Sequence, residues 1–163
     1  MPPEVCLREA VHPSDRDAVR RIVTDSGFFT AAEVDVAVEL VDERLAKGEA
    51  SGYEFLFADQ DGAVAGYACY GEIACTVGSY DLYWVAVDPA LQRQGLGRRL
   101  VDEVERRIAE RQGRKAYIET SSRALYEPTR QFYLRCGYRE VARFPDFYAP
   151  EDDKVVYEKS LSR

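Results

Sequence analysis

The run Leu82–Val87 is rich in β-branched and aromatic residues, stops at Pro89, and is followed within a few residues by Gly95 and Gly97. From there Leu96, Leu100, Val104 and Ile108 recur at every fourth position, with Arg, Asp and Glu between them. The first pattern predicts a strand that Pro89 ends, the second an amphipathic helix. A strand that passes through a glycine turn into a one-sided helix constrains the chain more than any other feature. The helix has an apolar stripe to bury, and the nearest surface of the right kind is a sheet containing that strand.

The flanking sequence supplies the rest of such a sheet. Val5–Arg8 reads as a first strand. Ser14 with Asp17 resembles an N-cap, and Val19, Ile22 and Val23 form a stripe that ends near Gly27. Thr30 and Glu33 fit a capping box, with Val34, Val38, Val41 and Leu45 behind them and Gly48 as the stop. Tyr53–Ala58 and Ala63–Tyr70 flank Asp61-Gly62, a hairpin signal. Gly113 closes the central helix, and Ala116–Thr120 is a strand. Pro128 opens a short helix closed by Gly137, and Tyr138–Phe144 and Val155–Leu161 complete the sheet. The predicted order is β-α-α-β-β-β-α-β-α-β-β, an α/β fold with a mixed sheet and helices on its faces.

Length and composition limit what such a fold can be. At 163 residues, one domain spanning 1–163 is expected, with no linker or repeat to divide it. A composition of 46% hydrophobic and 31% charged residues excludes a disordered or collagen-like chain. A net charge of −7 argues against nucleic acid as a partner. No apolar run approaches the roughly 20 residues of a membrane helix. The start Met1-Pro2-Pro3-Glu4 has no leader pattern. Cys6, Cys69, Cys75 and Cys136 form no CxxC pair and His12 is the only histidine, so no metal site is expected. The cysteines read as reduced core residues of a cytoplasmic protein.

The glycine turn carries the chemistry. The first amides of a helix lack internal partners, and the helix dipole makes that end electropositive. Glycine lets backbone approach a phosphate without a Cβ between them, and Arg93, Arg98 and Arg99 add charge. The turn therefore suits a pyrophosphate, or is a solvated turn with solvated arginines. A Rossmann fingerprint needs a third glycine where Leu100 stands, and a P-loop needs Lys-Ser/Thr where Arg98-Arg99 stand.

Gln92-Arg93-Gln94-Gly95-Leu96-Gly97 resembles the Q/R-x-x-G-x-G/A motif of the GNAT acetyltransferases. Val85-Ala86-Val87-Asp88-Pro89 is similar to that family's fourth strand. The run Phe132-Tyr133 to Gly137-Tyr138 resembles its second signature. The element order agrees too, so the resemblance covers essentially the whole chain. It implies a mostly antiparallel sheet of about seven strands whose fourth and fifth members splay to admit acetyl-CoA. Backbone of Val85, Ala86 and Val87 would pair with the pantetheine, while Val85 and Val87 side chains also serve the core. Amides of Gln92, Arg93, Gln94, Gly95, Leu96, Gly97 and Arg98 would hold the pyrophosphate. Tyr126 stands where the family often carries a cofactor-bonding Asn; either its phenol substitutes or that contact is absent.

The implied reaction is direct attack of a primary amine on the thioester. The amine must lose a proton, the carbonyl oxygen needs a donor near Val85 or Ala86, and the thiolate needs a proton. Tyr133 matches the family's general acid. Asp81, six residues before Val87, matches the position of a catalytic glutamate in the histone-acetylating branch, with Glu72 as rival and ordered water as a third possibility. The acceptor-binding loops would be Asp25–Phe29, Glu72–Tyr80 and Pro145–Asp153, whose aromatics and acids suit a cationic amine. A small-molecule amine is the expected acceptor. A protein amine or a non-catalytic acyl-CoA-binding module are the alternatives, and a homodimer is allowed by an exposed edge strand.

Overall fold

In the computed structural model residues 3–161 are described; Met1 and Pro2, part of the start read above as leaderless, lie outside them. The elements are β1 (Val5–Arg8), α1 (Asp15–Ser26), α2 (Ala31–Lys47), β2 (Glu54–Gln60), β3 (Ala63–Glu72), β4 (Ser79–Val87), α3 (Leu96–Glu110), β5 (Lys115–Ser121), α4 (Glu127–Arg135), β6 (Arg139–Ala149) and β7 (Asp152–Ser160). The strand order in the seven-stranded sheet is β1-β2-β3-β4-β5-β7-β6. β4 and β5 are parallel, whereas β1–β2, β2–β3, β5–β7 and β6–β7 are antiparallel. Fold class and element order are those the sequence predicts.

Chain contacts define two compact units. One comprises residues 1–71 and 84–104, the other 72–83 and 105–163, so the division falls inside β4 and α3. In the first unit α1 and α2 bury Val19, Ile22, Val23, Val34, Ala37, Val38 and Val41 with Phe55, Phe57, Tyr67, Cys69 and Ala86. Each of the Val, Ile and Phe side chains among them contributes roughly 1.5–3 kcal/mol through burial. Leu45, expected on the α2 stripe, is 38% exposed and marks where that stripe leaves the core. Thr30 and Glu33 form the capping box as predicted. Asp61 and Gly62, at φ 54° and 78°, make the hairpin turn.

Ser14 does not cap α1: its backbone is helical and its side chain makes no capping bond. Asp15, the first residue of α1, instead ties the helix start to the preceding chain and to β1. Its carboxylate accepts from the His12 N–H at 2.7 Å and from the Arg8 guanidinium at 2.8 and 2.9 Å. Arg8 also donates to Asp59 at 2.8 Å and lies 4.7 Å above the Phe57 ring, so one guanidinium joins β1, β2 and α1. Asp15 is buried because its charge is matched there.

In the second unit Tyr80, Leu82, Ile108, Ile118, Tyr133, Tyr138, Val155 and Tyr157 are buried. The last hairpin is longer than its apolar pattern suggests. β6 runs on through Pro145 to Ala149, with an irregularity in the pairing between Phe144 and Ala149. A proline without an N–H is tolerated on an edge strand, and β6 is one. Two of the four free cysteines, Cys6 and Cys75, are exposed rather than core residues. Among the described residues no helix is long and apolar enough to cross a membrane.

Gly113 is not the left-handed residue that ends α3; Gln112 is, at φ 64°. Gly113 is required for space. A Cβ there would lie 2.8 Å from Tyr80 Cε1, 2.9 Å from the Ile108 carbonyl oxygen, and closer still to Ile108 Cγ2. Gly113→Ala is expected to cost about 2 kcal/mol or more. A chemical-denaturation midpoint equal to that of wild type would contradict this packing.

Candidate active site

The turn after β4 is fixed at its entrance by Asp88. Its amide donates to the Ala65 carbonyl at 2.8 Å, and its carboxylate accepts from the Ala90 N–H at 3.0 Å and from Arg21 at 2.7 Å. Burial opposes ionisation of this carboxyl, but the Ala90 amide and Arg21 prevail and hold it below its ordinary value. Arg93 and Gly95 then take left-handed backbone, φ 69° and 75°. Leu96 begins α3, and the Arg99 amide donates back to the Gly95 carbonyl at 3.0 Å. The Leu96, Gly97 and Arg98 amides precede that bond, in the first turn, where a helix has no internal acceptors.

The residues fit an anion carried on backbone. A Cβ at Gly95 would meet nothing within 4 Å, so the turn faces open space. Gln92, Arg93, Gln94 and Arg98 side chains are exposed, and Leu96 alone points inward. Arg98 pairs with Asp102 at 3.1 Å. Behind the turn, Gly66 of β3 lets strands close up: a Cβ there would sit 3.0 Å from the Ala86 carbonyl oxygen and 3.3 Å from Val87 Cγ2. Ala86 is the buried member of its strand segment. Val85 and Val87, expected in the interior, are only half-buried. Trp84 packs at 5.0 Å on Phe29 of the α1–α2 loop, with Phe28 edge-on to Phe29.

The acid–base candidates lie in the second unit. The parallel ladder pairs Ser79, Tyr80 and Asp81 with Lys115, Ala116 and Tyr117, and both strands continue past it. At its end Asp81, Leu82, Tyr83, Glu119 and Tyr148 line a pocket of about 160 Å³. Burial, then the neighbouring Glu119 charge, push the Asp81 carboxyl up to about 6, with Lys154 pulling the other way. Glu72 ends β3, exposed, and is not part of that lining.

Tyr133 is buried on α4, edge-on to Phe132 at 5.4 Å and Tyr138 at 6.1 Å. Burial, with Cys136 second, pushes its phenol well above the usual range, so it holds its proton throughout the working pH range. Tyr126 is buried in the turn just before α4. The structure thus brings Asp81 together with Glu119 and Tyr148. Of the acceptor segments, Pro145–Asp153 contributes Tyr148 and Asp25–Phe29 contributes the Phe29–Trp84 contact.

Sequence reasoning missed Glu119, Lys154 and Trp84. Glu119 and Lys154 are charged residues inside strands, and only strand register shows that they share a face. Trp84 looked like one more aromatic of a buried strand, yet its buried indole Nε1 has no hydrogen-bond partner. That is a polar handle no hydrophobic pattern reveals.

A model of the family described as "Acetyltransferase (GNAT) domain" matches residues 51–140, more than half of the chain. A crystal structure of a GNAT-family protein from Desulfovibrio desulfuricans superposes with a TM-score of 0.96 at 48% identity, covering 98% of this chain and all of that one. The tRNA(Met) cytidine acetyltransferase TmcA of Actinobacillus pleuropneumoniae is 32% identical over 123 residues, 73% of this chain. The chain spans about a fifth of that relative's length, the match covering 19% of it. At 21% identity, the ribosomal-protein-S18-alanine N-acetyltransferase of Escherichia coli shares the fold, with a TM-score of 0.78 over 98% of this chain and 96% of that one. The chain belongs to the GNAT acetyltransferase family.

Proposed function

We propose that this enzyme moves an acetyl group from acetyl-CoA to the primary amine of a small, cationic molecule by direct attack on the thioester. The observation that carries the acceptor class is the pocket at the end of the β4–β5 ladder. At about 160 Å³ it admits an amine head group and little more, and it offers the Asp81 and Glu119 carboxylates beside two tyrosines. Carboxylates and ring faces together favour a cation. The exposed aromatics of β6, Phe147 at 55% and Tyr148 at 47%, support a second reading, a peptide amine laid along that strand.

Acetyl-CoA supplies the activated acetyl group. On this assignment the amides from Gln92 to Arg98 hold its pyrophosphate, backbone of Val85 to Val87 its pantetheine, and Tyr126 adds a contact. An N–H at Val85 or Ala86 donates to the carbonyl oxygen as charge develops there. Asp81 takes the proton of the ammonium. A carboxylate that titrates near 6 is a stronger base than an ordinary aspartate and is still ionised at neutral pH. Glu72 is the alternative base. Tyr133, protonated and poor at ionising, donates to the departing sulfur. The free cysteines fit a reducing cytoplasm.

The test is thiol release from acetyl-CoA over a panel of polyamines, aminoglycosides, amino acids and a lysine-containing peptide. Small cationic amines are expected to be turned over and the peptide not; the reverse favours the peptide reading. With the best acceptor, Tyr133→Phe is expected to lower kcat about a hundredfold while acetyl-CoA affinity is kept. Unchanged kcat would remove Tyr133 from the chemistry.

Asp81→Asn is expected to abolish the acidic limb of kcat/KM near pH 6. If the limb persists in Asp81→Asn and vanishes in Glu72→Gln, Glu72 is the base. The same variant has a stability signature. The folded carboxyl titrates above its unfolded value of about 3.9, so the wild type loses stability as pH rises from about 4 to about 6. After discounting for solvent at a half-exposed group, Asp81→Asn should gain about 1 kcal/mol over wild type at pH 7.5 relative to pH 4. Parallel stability curves across that window would contradict the shift.

A further inference from the structure

Strand register places a set of charges around Asp81 that the family motifs do not include. Asp81 is opposite Tyr117, which is opposite Glu158, which is opposite Arg139. Four residues along β5, Ser121 is opposite Lys154, which is opposite Phe144. Glu119 lies between these rows with the same parity, so Asp81, Glu119 and Lys154 share one face of the sheet.

Lys154 is not a freely swinging surface lysine. Its Nζ lies 4.4 Å from the Phe147 ring centre, 5.0 Å from that of Phe144 and 3.5 Å from the Glu119 carboxylate. Its side chain is only 18% exposed. Two ring faces and a carboxylate confine an ammonium that would otherwise be hydrated and mobile. A confined charge beside a partly dry pocket acts on its neighbours more strongly than one screened by water.

The other ionisable groups around Asp81 are accounted for. Tyr83 on its own strand and Tyr148 on β6 line the pocket as phenols. On β5, Tyr117 donates to Glu158, and on β7 Glu158 is further paired with Lys115 at 3.2 Å. Asp152 accepts from the Ser121 hydroxyl. Glu72 on β3 is not among the charges that act on Asp81. That leaves Glu119 and Lys154 as the two opposed charges.

We infer that Lys154 and Glu119 are positioning residues that act electrostatically, and in opposite senses, on the Asp81 carboxylate. Neither touches the reacting atoms in this scheme. Lys154 favours the charged carboxylate and Glu119 the neutral acid, so the pair sets the pH at which the base becomes available. Phe144 and Phe147 serve by holding Lys154. The functional consequence rests on Asp81 being the base, but the electrostatic claim can be tested without any acceptor.

The experiment is carboxyl NMR of the full chain labelled with 13C at aspartate, titrated with pH, the Asp81 resonance being identified by its loss in Asp81→Asn. The wild-type midpoint is expected at about 6. In Lys154→Met it should rise and in Glu119→Gln it should fall, each by about half a pH unit or more. Lys154→Arg, which keeps the charge, should stay near wild type. Both midpoints unmoved, or both moved the same way as a general loosening of the pocket would do, overturns the inference. Glu119 is half exposed, so Glu119→Gln is expected to fold even if Lys154→Met does not, and an unmoved midpoint in it alone is also decisive against the pair. Failure of the base assignment looks different: the midpoints shift as stated, yet the acidic limb of kcat/KM survives in Asp81→Asn.

Discussion

The three-residue parallel ladder between β4 and β5 is the constraint on which the site depends. Ser79 to Asp81 pair with Lys115 to Tyr117, and both strands then run on, β4 to Val87 and β5 to Ser121. β5 stays tied to β7 along its whole length, from Lys115 opposite Ser160 to Ser121 opposite Lys154. Where the ladder stops, Asp81 is left half-buried beside Leu82 and Tyr83, with Glu119 across the pocket. That position raises its basicity, because it is dry enough to resist ionisation and close enough to a second carboxylate to resist it further. The same strand ends six residues on, at Val87, and delivers the chain to Asp88 and the glycine turn.

Much of this was legible in the sequence where the signal was local. The capping box at Thr30 and Glu33, the Asp61-Gly62 turn and the four-residue apolar repeat of α3 each depend on residues close in the chain, and each gives the element expected. The glycine motif was legible for the same reason. What was not legible depends on space or register. Gly113 looked like a helix stop but is needed because Tyr80 and Ile108 leave no room for a Cβ. Ser14 looked like a cap but makes no capping bond, and the helix start is held instead by Asp15 bonding to the His12 N–H and to Arg8 of β1. Strands β6 and β7 were drawn short because Pro145 and the acidic run after Pro150 carry no apolar alternation; β6 is an edge strand and does not need one, and β7 starts early because Asp152 pairs with Ala149 across the hairpin. Glu119 and Lys154 have meaning only once β5 and β7 are paired.

The two halves of the proposed site obey different physics. On the proposed assignment the glycine turn would bind through backbone amides, so its exposed side chains could vary while Gly95 cannot easily leave its positive φ. The acid–base half depends on side chains and on how dry they are. Burial and the Glu119 charge push the Asp81 carboxyl up to about 6, and Tyr133 is buried where its phenol keeps its proton. An amide-lined turn holds a pyrophosphate without reacting, and a basic carboxylate with a buried phenol needs an activated acyl group to act on.

The most direct measurement is calorimetric titration of the purified protein with acetyl-CoA, with NAD and ATP as pyrophosphate-bearing controls. Selective binding of acetyl-CoA, weakened by substitution of Gly95 with valine, is the result predicted by an amide cradle from Gln92 to Arg98. No binding of acetyl-CoA or of any longer acyl-CoA, or equal binding of all three nucleotides, would contradict it.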